Sequence, residues 1–141
     1  MGLDMYLYTF EPEVRDDVIN LEKLSDQESD NLWSKTEEVA YWRKANFLHG
    51  FFCENAYEIR HAVFYLVSRS LLEDFISKAS QVLNKRSKAY SSKHLPTYSG
   101  FFFGSYGYDD DYYEYVEEVM NSLKTILKEH EDNEFLYYAW W

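Results

Sequence analysis

Both ends of this chain read as β-strands, and most of what lies between carries helical spacing. The simplest architecture these allow is helices packed on a small sheet, with the terminal strands paired to each other. From Leu3 to Phe10 the apolar Leu3, Met5 and Leu7 alternate with Asp4, Tyr6 and Tyr8, the period of a strand with one buried face. Pro12 ends that run, and Phe135 to Trp141, apolar nearly throughout, reads as a final strand. The clearest helix covers about 69–89. Ser70 and Glu73 form a capping-box pattern there, Leu71, Leu72, Phe75, Ile76, Ala79, Val82 and Leu83 make a buried face, and Lys78, Lys85 and Lys88 point outward. Asp109, Asp110 and Asp111 open a second long helix to about His130, with a core stripe of Tyr112, Val116, Val119, Met120, Leu123, Ile126 and Leu127.

The remaining segments are weaker. Residues 13–36 are polar and acidic with loose helical spacing at Val14, Val18, Leu21 and Leu24, which predicts a short helix and then a loop around Ser25 to Asp30. Thr36 followed by Glu37 and Glu38 predicts a capped helix from there to about Cys53, with Tyr41, Ala45, Leu48 and Phe52 on one stripe. Residues 56–67 alternate through Tyr57, Ile59, His61, Val63, Tyr65 and Val67 as a strand would, although a helix also fits. Leu95-Pro96 closes a connection, and Gly100-Phe101-Phe102-Phe103-Gly104 reads as buried extended chain. The expectation is an α+β fold: a single domain over 1–141, with three to four helices on a small antiparallel sheet that includes the N- and C-terminal strands.

A chain of 141 residues hides roughly two-thirds of its unfolded surface and needs no staples. The single cysteine, Cys53, excludes an intramolecular disulfide and fits a reducing compartment. The N-terminus lacks the basic start and apolar run of a signal peptide, no Ser or Thr follows Gly2 where a myristoylation signal wants one, and no stretch approaches a membrane span. A cytoplasmic protein without a membrane partner is expected. Charge is sorted along the chain. Residues 1–39 hold eleven acids and three bases, residues 40–108 four acids and nine bases, and residues 109–134 ten acids and two bases. The fourteen Tyr, ten Phe and four Trp exceed what one small core requires, so some are available as partner anchors.

No catalytic signature is met. Phe103-Gly104-Ser105-Tyr106-Gly107 lacks the first glycine of a nucleophile elbow, Gly100, Gly104 and Gly107 match no phosphate-binding spacing, and Asp109-Asp110-Asp111 lacks the alternation of a calcium loop. On a 37–53 helix, Trp42, Asn46, His49 and Cys53 would share one stripe with Arg43 beside it, a possible polar site. His61, His94 and His130 supply no ligand-spaced pair to it, so no metal and no cofactor is expected. Within the last long helix Asp110, Glu114 and Glu118 recur at i, i+4 with Glu117 alongside. Carboxylates one helical turn apart, about 5–6 Å, are comparable in spacing to strand phosphates and suit a basic partner. Lys78, Lys85, Arg86, Lys88 and Lys93, near Tyr90 and Tyr98, are too few on a chain of net charge −11 to predict direct nucleic-acid binding; pairing with the acidic segments, within the fold or across a dimer, is expected instead.

Met1-Gly2-Leu3-Asp4-Met5-Tyr6-Leu7-Tyr8, the stretch Glu38-Val39-Ala40-Tyr41-Trp42-Arg43-Lys44-Ala45-Asn46 with His49, and Leu95-Pro96 through Gly100-Phe101-Phe102-Phe103-Gly104-Ser105 to Tyr108-Asp109 resemble a family of small phage and prophage proteins. The likeness runs on to the Tyr137–Trp141 tail. It implies a setting, a bacterial host cell, and carries over no functional residue. Charge sorting, this resemblance and the missing motifs lead to one expectation. The chain is an acidic interaction protein, not an enzyme, that inhibits a host defence protein of anti-CRISPR or anti-restriction target type. It does so by occluding a basic nucleic-acid groove with Asp110, Glu114, Glu117 and Glu118. The alternatives are a small enzyme using Trp42, Arg43, Asn46 and His49, and a phage structural or regulatory homo-oligomer such as a homodimer.

Overall fold

The two terminal strands lie side by side in the middle of one sheet. In the computed structural model, which describes residues 2–20, 25–56, 58–98 and 107–141, β1 (Asp4–Phe10) pairs antiparallel with β4 (Glu134–Trp140), in register from Asp4↔Trp140 to Phe10↔Glu134. Strand β2 (Thr36–Arg43) adds to the free side of β1 and β3 (Phe64–Val67) to the free side of β4, giving the antiparallel order β2-β1-β4-β3. Six α-helices accompany it among the described residues: α1 (Arg15–Ile19), α2 (Asp26–Trp33), α3 (Asn46–Asn55), α4 (Arg69–Lys85), α5 (Lys88–His94) and α6 (Asp110–Glu129). The fold is α+β, built on the terminal strands as the sequence predicts, with more helices than the expected three to four.

Alternation sends Met5 and Leu7 from β1 with Leu3 just before it, Phe135, Tyr137 and Ala139 from β4, and Trp42 from β2 to one face, where they meet the apolar stripes of α3, α4 and α6. All seven predicted stripe residues of α6 are buried, and each such side chain contributes roughly 1.5–3 kcal/mol. Among the described residues, the other face of the sheet carries a second apolar cluster at one end. There Phe10 and Leu136 pack under Val14, Val18 and Leu32, contributed by the tight turn Pro12–Val14 and by α1 and α2. Arg69, at the start of α4, donates to the carbonyls of Leu127 and His130 and so satisfies the C-terminal end of α6.

Several expectations are corrected. Residues 36–43 are strand β2, and the helix predicted over 37–53 begins only at Asn46, after the chain reverses through Lys44 at φ 58°. The loop expected at Ser25–Asp30 is the start of α2, with Ser25 accepting from the Glu28 amide. Helix α4 is capped by Ser68 instead of Ser70, and it stops at Lys85 because Arg86 adopts a left-handed conformation before α5 begins. Of residues 56–67, 64–67 form strand β3. The Gly100–Gly104 run, Ser105, Leu21, Leu24 and Tyr57 lie outside the described residues.

Gly50, in α3, shows how tightly the helical layer is fitted. A methyl group at this position would stand 2.8 Å from the Cβ of Tyr98, too near the backbone for a rotamer change to relieve. Gly50→Ala is therefore expected to lower unfolding free energy by about 1–3 kcal/mol, read as a reduced urea midpoint at unchanged slope.

Candidate functional site

Helix α6 presents the predicted acids outward. Asp109 starts it by accepting from the Tyr112 amide at 3.1 Å, and Asp110 and Asp111 meet the positive end of the helix. With Tyr112, Val116 and Val119 turned to the core, Asp110, Glu114, Glu117 and Glu118 are all solvent-exposed, spread over about 12 Å of helix axis. None of the four is in ion-pair range of a described lysine or arginine; Arg15 and Glu134 pair at 3.3 Å elsewhere. The expected pairing of the basic middle with the acidic segments is not found among the described residues. Instead Lys78 stands over Phe51, Lys85 over Tyr90 and Arg86 over Tyr113, at 5.6, 4.3 and 5.5 Å from the ring centres.

The ridge runs to the edge of the sheet. Glu118, Asn121, Thr125 and Glu129 of α6 face Val39 and Tyr41 of β2 across a shallow groove of about 700 Å³. At the last residue of β2 the Tyr115 hydroxyl donates to the Arg43 carbonyl at 2.7 Å and accepts from the Arg43 amide at 3.1 Å. Burial pushes this phenol up to about 12, against a smaller opposing effect of the Arg43 backbone.

The second predicted group does not assemble. Trp42 and Arg43 belong to β2, on opposite faces of the strand, with Trp42 buried and Arg43 exposed. Asn46 and His49 lie inside α3, where Asn46 Oδ1 accepts from the Tyr98 amide and His49 Nδ1 is 2.7 Å from the Tyr137 hydroxyl. The rings of Tyr98, Tyr137 and Trp141 surround the imidazole. Burial lowers His49 from 6.5 to about 4 and raises the half-buried Cys53 thiol. This is a polar seam between helix and sheet. Among the described residues no group of three His, Cys, Asp or Glu is placed to hold a metal ion, and no helix is long and apolar enough to cross a membrane.

A further feature is assembled by the pairing register alone. Tyr41↔Tyr6, Tyr6↔Tyr138 and Tyr138↔Phe64 are cross-strand partners, so four rings form one row across all four strands on the face away from α3, α4 and α6. Adjacent ring centres are 5.1, 6.0 and 4.5 Å apart. Tyr6 was legible as outward-facing from alternation; its three neighbours come from distant segments whose register sequence spacing does not specify. Comparison with family models, with curated proteins and with solved structures finds no match for this chain.

His49 makes the fold acid-sensitive. Its folded pKa lies below the unfolded value, so the unfolded chain binds the extra proton, and stability present above pH 6.5 drains away as pH falls towards about 4. The expected slope is up to about 1.4 kcal/mol per pH unit in that window. Melting temperatures taken across it should drop more steeply for the native chain than for His49→Gln.

Proposed function

We propose that this chain is an acidic interaction protein of phage origin that inhibits a host nucleic-acid-binding defence machine by occluding its basic groove. The observation that supports this reading is the joint display on α6: Asp110, Glu114, Glu117 and Glu118 are exposed together, unpaired with any described base, and Glu118 opens onto the groove beside exposed Tyr41. Carboxylates at i, i+4 repel, and each such pair costs a helix roughly 0.2–0.5 kcal/mol. Only the first turn recovers that from the helix dipole, so Glu114 and Glu118 are held at a net cost to α6. A cationic surface would remove the repulsion. Complementary charge would speed encounter and make binding salt-sensitive, while aromatic rings buried against the partner would set the lifetime of the complex.

Partner capture from host lysate, with the native chain and with all four ridge acids changed to Lys, tests this directly. The native chain is expected to retain a nuclease or its guide complex, with recovery falling as salt rises, and the reversed ridge is expected to lose it. Equal recovery by both proteins sinks the occlusion mechanism. Glu114→Gln alone should leave the fold intact and raise stability by about 0.2–0.5 kcal/mol, read by urea unfolding, which separates loss of binding from loss of structure.

A further inference from the structure

The row Tyr41–Tyr6–Tyr138–Phe64 lies on the face of the sheet that turns away from the α6 core stripe, its end residue Tyr41 also bordering the α6 groove, and Asp4, Glu38 and Arg43 stand at its margin. Asp4, one pleat along β1 from Tyr6, accepts from the Tyr41 hydroxyl, and exposed Glu38 is the cross-strand partner of Tyr8, which stands next to Tyr6 with ring centres 6.4 Å apart. Arg43, the cross-strand partner of Asp4, is a cation on the same face and acts on Tyr41, so Glu38 and Asp4 outnumber it at the margin of the row. Burial first, then Asp4 and Glu38, raise the Tyr6 hydroxyl above its ordinary value, and every charged group acting on that ring is an acid. Tyr41 is 45 % exposed, and Tyr6, Tyr138 and Phe64 are half-buried, chiefly among neighbouring rings.

Elsewhere the protein places its own cations over rings: Arg69 over Phe135, Lys78 over Phe51, Lys85 over Tyr90 and Arg86 over Tyr113. No described cation stands over the row. We infer that this row, with Asp4 and Glu38 at its margin, is a binding site for an arginine-bearing segment of a partner protein. A guanidinium is flat, weakly hydrated and permanently charged, so it stacks on the ring faces while donating to a carboxylate beside them. Exposed rings on a sheet also suit nucleobases, but phosphates would be drawn onto a surface flanked by Asp4 and Glu38 on a chain of net charge −11. The charge selects the cation. The site meets the α6 groove at Tyr41 and stands whether or not the ridge covers a basic groove.

The test is calorimetric titration of the full chain with a short Gly-Arg repeat peptide, with the same peptide carrying citrulline for arginine, and with a single-stranded oligonucleotide. The arginine peptide is expected to bind on the order of tenfold more tightly than the citrulline peptide, with no oligonucleotide binding. Tyr6→Ala and Tyr138→Ala should each weaken the arginine peptide about fivefold or more. Tyr6→Phe, which keeps the ring, should hold affinity within about twofold, and Asp4→Asn, which keeps the fold and removes the charge, should weaken it about fivefold. A variant with Glu114, Glu117 and Glu118 changed to Gln should bind as the native chain does. The inference is overturned by equal affinity for the two peptides, by binding of neither, by binding of the oligonucleotide through the row, or by a loss that follows the ridge variant instead of Tyr6 and Asp4.

Discussion

Strand β1 meets strand β4 across seven residue pairs, and each later piece of the structure is positioned by that meeting. It joins residues about as far apart in sequence as this chain allows. The loop-closure cost falls early, and the helices between can bury their stripes only once the two ends have paired. Thr9 adds a side-chain bond across the joint, from its hydroxyl to the Glu134 carbonyl at 2.9 Å. The same pairing decides what each face of the sheet shows. One face sends Leu3, Met5, Leu7, Phe135, Tyr137 and Ala139 to the helices, and the other lines up Tyr6 with Tyr138. The interior and the aromatic surface are two sides of one register, and a slip by a single residue would exchange them.

Legibility in the sequence followed the strength of the local period. The two ends, α4 and α6 were readable because alternation or a 3.6-residue stripe persists in each over several repeats, and the exposed acids of α6 came with its stripe. Residues 36–43 were not. Thr36, Glu37 and Glu38 imitate a helix start, and the bulge at Val39 shifts the pairing from Leu7↔Ala40 to Tyr8↔Glu38, which breaks the two-residue rhythm that would have marked a strand. Once β2 replaced the first half of that helix, the stripe joining Trp42 and Arg43 to Asn46 and His49 ceased to exist. Helix α2 was missed for the opposite reason: it is too polar to carry a stripe, and its cap, Ser25, is the signal that could have found it.

The charge sorting seen in the sequence has a particular structural result. The basic middle is spent on rings and helix ends, as Arg69, Lys78, Lys85 and Arg86 illustrate, so it does not neutralise the acidic ends among the described residues. Acidic character therefore persists on two surfaces that meet at Tyr41, along α6 and beside the rings of β1 and β2. Each has its own steric surroundings: a helical ridge bordering a groove in one case, a flat ring-paved sheet in the other. Both suit cationic partners, and they differ in whether shape or ring contact would set the fit.

Tyr115 has a bearing on how this sheet meets other chains. Edge strands are open templates on which sheets extend from one molecule to the next. With its hydroxyl engaged at both the amide and the carbonyl of Arg43, Tyr115 blocks one end of the β2 template from within the same chain. A foreign strand would meet this obstruction at Arg43 and the bulge at Val39 further back, so a single phenol shortens the template that β2 offers to other copies.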